Sequence, residues 1–182
     1  MAQTDIKQAV AKLGEAIQQN PNNAKLVYKA DVNWDGDVRC TSKVRNLPTV
    51  VIDEPAAFGG GDTAQSPADL ILTSLGSCQE IMYAALASAM DIPLDELKVE
   101  LKGNLDLHGL FGMGADKGIP PGFQDISYHV KIKSPASEEQ LKRLVDAVEK
   151  QCPILDTLTR AIKVTGKATI NGATDYVGQR AA

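Results

Sequence analysis

The chain has 182 residues, of which 43% are hydrophobic, 23% charged and 4% aromatic, with a formal net charge of −4 and three cysteines. That length fits one compact domain with a short appendage, and the apolar content excludes a disordered chain. A mildly acidic chain lacks the basic field that holds nucleic acid or an anionic membrane surface, and three cysteines are too few, and odd, for a disulfide-stapled secreted scaffold.

Met1–Asn20 has scattered charges and no unbroken apolar core, so it does not read as a secretory signal. Within it Ile6, Val10, Leu13 and Ile17 form one helical stripe, with Thr4 as a cap and Asn20-Pro21-Asn22-Asn23 as the stop. Leu26, Tyr28, Ala30, Val32 and Trp34 then alternate with Lys29, Asp31 and Asn33, which predicts a half-buried strand. Asp35-Gly36-Asp37 is a turn. A second strand spans Val38 to Arg45, and its Arg39, Lys43 and Arg45 share one face. Thr49–Asp53 is a short third strand, followed by a glycine-rich loop, Phe58–Gln65.

Ser66-Pro67-Ala68-Asp69 is a helix start, with a Ser cap, Pro at the first helical position and an acid in the first turn. The helix that follows contains Leu70–Met90, about the length of a membrane span. Glu80 at its centre, together with Thr73, Ser74, Ser77 and Gln79, argues instead for a helix buried on most sides. So apolar a helix needs more cover than one small domain supplies, which points to a dimer. Leu97, Val99 and Leu101, then Leu105 and Leu107, alternate about Gly103, read as a bulge. His108–Phe123 is a Gly/Pro-rich loop, and Ile126, Tyr128, Val130 and Ile132 form the next strand. Ser137-Glu138-Glu139-Gln140 opens a helix with a capping-box pattern. Pro153 interrupts that helix because it has no N–H to donate; a second segment continues to Arg160, and Lys163–Ile170 is the last strand. Sequential strands joined by short turns indicate antiparallel pairing and an α+β domain.

The glycine runs lack the spacing of a phosphate or dinucleotide loop. His108 and His129 form no zinc-binding spacing with the cysteines, and no metal or cofactor is expected. Cys78 lies mid-helix, with Ser74, Leu75, Ile81 and Met82 three and four residues away. An apolar setting raises a thiol's pKa and leaves it inert. Cys78 therefore reads either as a small buried hydrophobe or as a nucleophile that needs a cation brought to it, with Arg39, Lys43 and Arg45 on offer. Cys152 sits at the helix break beside Pro153. Cys40, on the inward face of its strand, reads as a core residue.

Together these segments resemble the family of osmotically inducible protein C and organic hydroperoxide resistance protein (OsmC/Ohr). The resemblance rests on an ordered set: Trp34-Asp35-Gly36-Asp37; Asp53-Glu54-Pro55 with Gly59-Gly60; Ser66-Pro67-Ala68-Asp69-Leu70; Leu75-Gly76-Ser77-Cys78; and Cys152-Pro153. It covers Leu26–Asn171, giving a single domain with a core at 25–171 and a helical extension at 1–22. It implies an intertwined homodimer, with antiparallel curved sheets around long central helices. It also implies a cytoplasmic thiol peroxidase that reduces organic or fatty-acid hydroperoxides and is recycled by a dithiol reductant. Carried onto this chain, Cys78 is the peroxidatic thiolate and Cys152 the resolving thiol. Arg39 is the activating arginine that fits best by position, and Arg45 is second. One position departs from the family pattern: the peroxidase subgroups have Pro-Glu at the helix start, where that Glu orients the arginine, and here Ala68 follows Pro67. Glu54 and Glu80 are the substitute carboxylates. A non-catalytic module binding an apolar or acyl ligand beside Cys78, and a redox sensor, are the alternative functions.

Overall fold

The computed structural model describes residues 3–177. The first helix, α1 (Gln3–Gln19), forms where its apolar spacing places it. Asn20 ends it and caps a single 3-10 turn, Pro21–Ala24, by accepting the Asn22 N–H. The strand expected from Leu26 is shorter: β1 is Asp31–Gly36. Leu26, Val27 and Tyr28 lie outside any ladder and are 71%, 83% and 87% exposed. The alternation expected there is not matched by alternating burial, since all three stay exposed.

β2 (Arg39–Lys43) pairs antiparallel with β1, and β3 (Val50–Ile52) pairs antiparallel with β2. The basic face expected on one strand is broken. Arg39 and Lys43 are on β2, but Arg45 lies past its end in a left-handed turn at φ 51. Cys40 is half-buried, opposite Trp34 on one side and Ile52 on the other.

The long helix α2 (Pro67–Ala89) starts on the expected cap. Ser66 Oγ accepts the Asp69 N–H, and the Asp69 carboxylate accepts the Ser66 N–H at 2.9 Å. Pro67 occupies the first turn, where no N–H is needed. α2 is long and apolar enough to cross a membrane by length and composition. Of its buried residues, Leu75, Gly76, Gln79, Tyr83 and Ala87 share one face, and Ser88 is buried in the last turn. The expected burial on most sides is not met in the single chain, where Ile81 stays 67% exposed.

β4 (Glu96–Leu105) and β5 (Phe123–Lys133) form a long antiparallel pair. The irregularity in their register falls at Asn104/Leu105, not at Gly103. Gly103 has a different reason: a Cβ there would lie 2.6 Å from the Phe123 ring. The connection expected to be all loop contains a four-residue helix, α3 (Leu107–Leu110), started by Asp106, whose carboxylate accepts the His108 N–H.

α4 (Glu138–Gln151) carries the expected Ser137/Gln140 capping box, and α5 (Pro153–Thr159) follows directly. The last expected strand begins later, as β6 (Ala168–Ile170), and pairs with an unexpected β7 (Thr174–Tyr176). The core sits where α2 and α4 pack against the β4–β5 pair: Tyr83, Ala87, Ile92, Leu144 and Val148 are buried, and Leu97, Val130, Ile132 and Leu141 close around them. α1 lies along α2, tied by Lys7 Nζ to Asp91 at 2.6 Å. The antiparallel α+β architecture expected from the sequence is the observed one.

Candidate functional site

The break between α4 and α5 is built by Cys152-Pro153. Cys152 is extended, with φ −69 and ψ 112, and serves both as the last cap of α4 and the first of α5. Its N–H reaches Val148 O at 2.9 Å, and its carbonyl accepts the Asp156 N–H at 3.0 Å. Fixed on both sides, the backbone turns the Cys152 side chain inward, where it is 1% exposed. Across from it stands Cys78 on α2. The two sulfurs share a hydrogen bond, Sγ to Sγ 3.5 Å, and both are free thiols.

The environment of Cys78 works chiefly against ionisation. Burial pushes its thiol pKa up, and its interaction with Cys152 adds to the rise. The backbone N–H of Ile154, in the first turn of α5, acts in the opposite direction as a donor to the sulfur. No lysine or arginine is among the groups that shift it.

Arg39 is engaged elsewhere. Its Nη1 donates to Thr63 Oγ1 at 2.8 Å and lies 4.0 Å from Asp53 Oδ2. Asp53 is 2% exposed and accepts from the N–H groups of Glu54, Gly61 and Thr63 and from the Thr63 hydroxyl at 2.6 Å. These donors, the Thr63 hydroxyl first, hold its carboxyl down to about 2. The glycine-rich loop is thus wrapped around a buried carboxylate. Gly60 is required there, because a Cβ would fall 1.7 Å from the Glu54 carbonyl oxygen. Arg45 is exposed and makes no ion pair among the described residues. Glu80 points to β4, where it accepts the Val99 N–H at 3.3 Å. Glu54 contributes its backbone, its carbonyl accepting the Asp62 N–H. The single chain therefore brings Cys78 and Cys152 together and leaves Arg39, Arg45 and Glu80 apart from them.

A cavity of about 430 Å³ opens between α2, β5 and α5. Ile71, Leu75, Leu155 and Leu158 give it apolar walls, and Tyr128 and Gln124 give it polar ones. Leu75 is three residues before Cys78 and Leu155 three after Cys152, so the cavity lies one helical turn from both thiols.

Several polar residues with defined roles in the fold carry no motif in the sequence. Asp53 belongs to a stretch quoted only for family likeness, and its place under the glycine loop emerges only in three dimensions. Tyr128 reads as an inward strand residue, and Glu149 as part of the polar side of α4. In the fold the Tyr128 hydroxyl donates to Glu149 Oε1. Gln79 and Tyr83 are fully buried beside them.

Comparison with known proteins agrees with this architecture. The family model for OsmC-like proteins matches residues 59–167. A hydroperoxide reductase of Mycoplasma genitalium is 29% identical over 96 residues, covering 51% of this chain and 61% of that protein. A second hydroperoxide reductase, from Mycoplasma pneumoniae, is 28% identical over 95 residues and is covered to 60%. The match thus spans about three-fifths of these relatives' length. Among solved structures, an OsmC-like protein from Mycoplasma pneumoniae superposes with a TM-score of 0.63 at 23% identity, covering 74% of this chain and 89% of that one. An organic hydroperoxide resistance protein, OsmC, from Legionella pneumophila superposes with a TM-score of 0.55 at 18% identity, covering 73% and 89%. The matched residues include Cys78 and Cys152, and the chain belongs to the OsmC-like protein family.

Proposed function

We propose that the chain is a thiol-dependent peroxidase that reduces organic hydroperoxides with Cys78 and Cys152. The observation that carries this reading is the 3.5 Å approach of the two sulfurs one turn from an apolar cavity. The Cys78 thiolate attacks the peroxide, the O–O bond breaks, and the alcohol leaves with a proton, giving Cys78 sulfenic acid. Cys152 then attacks the oxidised sulfur, the S–O bond breaks, and water leaves as the disulfide forms. A dithiol reopens it by exchange. The apolar walls favour an alkyl hydroperoxide over hydrogen peroxide.

The reading includes a cytoplasmic homodimer. A second copy would cover the exposed residues 26–28, Trp34 at 76% exposure, and Ile81 on the outer face of α2. It is also the source of the missing cation. Arg39, already oriented by Asp53 and Thr63, is the residue proposed to reach the partner's site. The hydroperoxide reductases of the two Mycoplasma species support this reading.

The raised Cys78 thiol favours a second reading, a module that holds an apolar or acyl ligand in the cavity without turnover. One assay separates the two: consumption of an alkyl hydroperoxide with a dithiol present. The peroxidase reading predicts steady consumption that Cys78→Ser abolishes. Equal, slow consumption by both proteins would leave only binding.

A further inference from the structure

The connection between β4 and β5 is a folded structure of its own, not slack chain. Asp106 starts α3 by accepting the His108 N–H at 2.9 Å, and the Phe111 N–H closes it on Leu107 O at 3.0 Å. The returning limb packs so tightly against this turn that two positions admit only glycine. A Cβ on Gly109 would fall 2.1 Å from Pro120 O, and one on Gly114 2.8 Å from Ile119 Cβ. The Ile119 N–H also donates to Gly114 O at 3.0 Å. A connection built in this way holds the Phe111 backbone in place. The Phe111 ring lies nearly parallel to that of Phe58, with centroids 6.4 Å apart and planes 16° apart, the offset stacking that aromatic pairs favour.

Phe58 stands at the start of the glycine-rich loop. Its N–H donates to Pro55 O at 2.8 Å, and Gly59 follows in the left-handed region at φ 84. The Gly60 and Asp62 N–H groups donate back to Pro55 O and Glu54 O, which folds the loop over Asp53 and leads it to Thr63. The Thr63 hydroxyl accepts from Arg39 Nη1 at 2.8 Å and donates to Asp53 Oδ2 at 2.6 Å. Contacts therefore run unbroken from Phe111 to Phe58, along the loop to Thr63, and on to the Arg39 guanidinium.

We propose that Phe111 is a positioning residue for Arg39, acting from the β4–β5 connection through Phe58 and the glycine-rich loop. The proposal deepens the peroxidase reading and rests on Arg39 as the arginine that serves the thiolate. Phe111 takes no part in the chemistry. Its ring narrows the positions open to the loop, so that Thr63 Oγ1 stays where it orients the guanidinium. Without the ring the loop samples more positions, and Arg39 loses part of the preorganisation on which electrostatic catalysis depends.

The test is a double-mutant cycle on kcat/KM for cumene hydroperoxide with dithiothreitol as reductant, with hydrogen exchange at the Gly61 and Thr63 amides as a second readout. Phe111→Ala and Phe58→Ala are each expected to lower kcat/KM by about two- to tenfold, the range of one offset aromatic pair, and to speed exchange at both amides. Phe111→Tyr keeps the ring and is expected to follow the parent. Met113→Ala removes an apolar side chain of similar exposure from the same connection and is expected to follow the parent as well. In an Arg39→Ala chain, Phe111→Ala is expected to cost nothing further in kcat/KM, whereas a general loss of structure would cost the same in both backgrounds. Phe111 is 59% exposed, so its replacement leaves the core untouched. Parent-like kinetics in Phe111→Ala, or a full additional loss in the Arg39→Ala chain, would overturn the positioning role and leave the cysteine pair intact. Parent-like kinetics in Arg39→Ala would overturn it too, by removing the residue to be positioned. No consumption by the parent chain would overturn the peroxidase reading, and the positioning role with it.

Discussion

Cys78 Sγ lies 3.5 Å from Cys152 Sγ, although 74 residues separate the two in sequence. A disulfide needs about 2.05 Å between sulfurs, so closing the bond takes a shift of roughly 1.5 Å. The break at Pro153 leaves the adjoining α5 backbone only seven residues of helix to carry. One thiol is held on the middle of the longest helix and the other on a junction between two helices, an arrangement suited to a bond that opens and closes.

The Cys78 thiol is raised by burial, and among the described residues no basic side chain offsets it. A raised thiol pKa means that the reactive thiolate appears later as pH increases. In a Cys40→Ser, Cys152→Ser chain diluted to the monomer, alkylation of Cys78 is therefore expected to rise only above the range of an exposed thiol, near 8.5. At concentrations where copies associate, the curve is expected to move to lower pH. The pH dependence of alkylation at two protein concentrations checks this.

Arg39→Ala is expected to lower kcat/KM for an alkyl hydroperoxide by at least about tenfold, with Arg39→Lys recovering part of it, because a lysine keeps the charge but not the planar fork. Arg45→Ala is expected to stay close to the parent. Steady-state kinetics on the three variants decide between the two arginines.

Asp53 predicts a local acid sensitivity. Its carboxyl is depressed in the fold from 3.8 to about 2. A depressed carboxyl contributes stability that is complete above its unfolded pKa and is lost as pH falls through the folded value. The loop from Ala56 to Gln65 is thus expected to loosen as pH drops from about 4 towards 2, and Asp53→Asn to loosen it at neutral pH. Hydrogen exchange at the Gly61 and Thr63 amides is the readout, since both donate to Asp53.

Two core substitutions should diverge. Leu144 is fully buried in the main cluster, and Leu144→Ala is expected to cost about 2–5 kcal/mol through lost burial and a cavity. Tyr83 is equally buried, but its hydroxyl has no hydrogen-bond partner among the described residues. Tyr83→Phe removes that unpaired group and is expected to be neutral or stabilising by up to about 1–3 kcal/mol. Denaturant titration of both variants measures the contrast.

Local signals carried much of this structure. Ser66, Pro67 and Asp69 marked the start of α2 to the residue, Ser137 and Gln140 did the same for α4, and Pro153 marked the break that carries Cys152. These are short-range rules of backbone satisfaction, legible without a fold. Signals that depend on a covering surface were less reliable. The alternation from Leu26 to Trp34 predicted burial that one chain does not provide. Gly103 looked like a bulge because packing of the Phe123 ring, twenty residues on, has no trace in local sequence. Asp53, Tyr128 and Glu149 were illegible for the same reason. A lone carboxylate or phenol acquires a role only when a distant Thr63 hydroxyl or another element meets it.

The central claim is that Cys78 and Cys152 work as a redox pair, and peptide mapping under non-reducing conditions tests it most directly. After one equivalent of an alkyl hydroperoxide, mass spectrometry is expected to find the Cys78 and Cys152 peptides joined, with Cys40 still a free thiol. Oxidation confined to Cys40, or Cys78 and Cys152 recovered as separate peptides, would contradict the account.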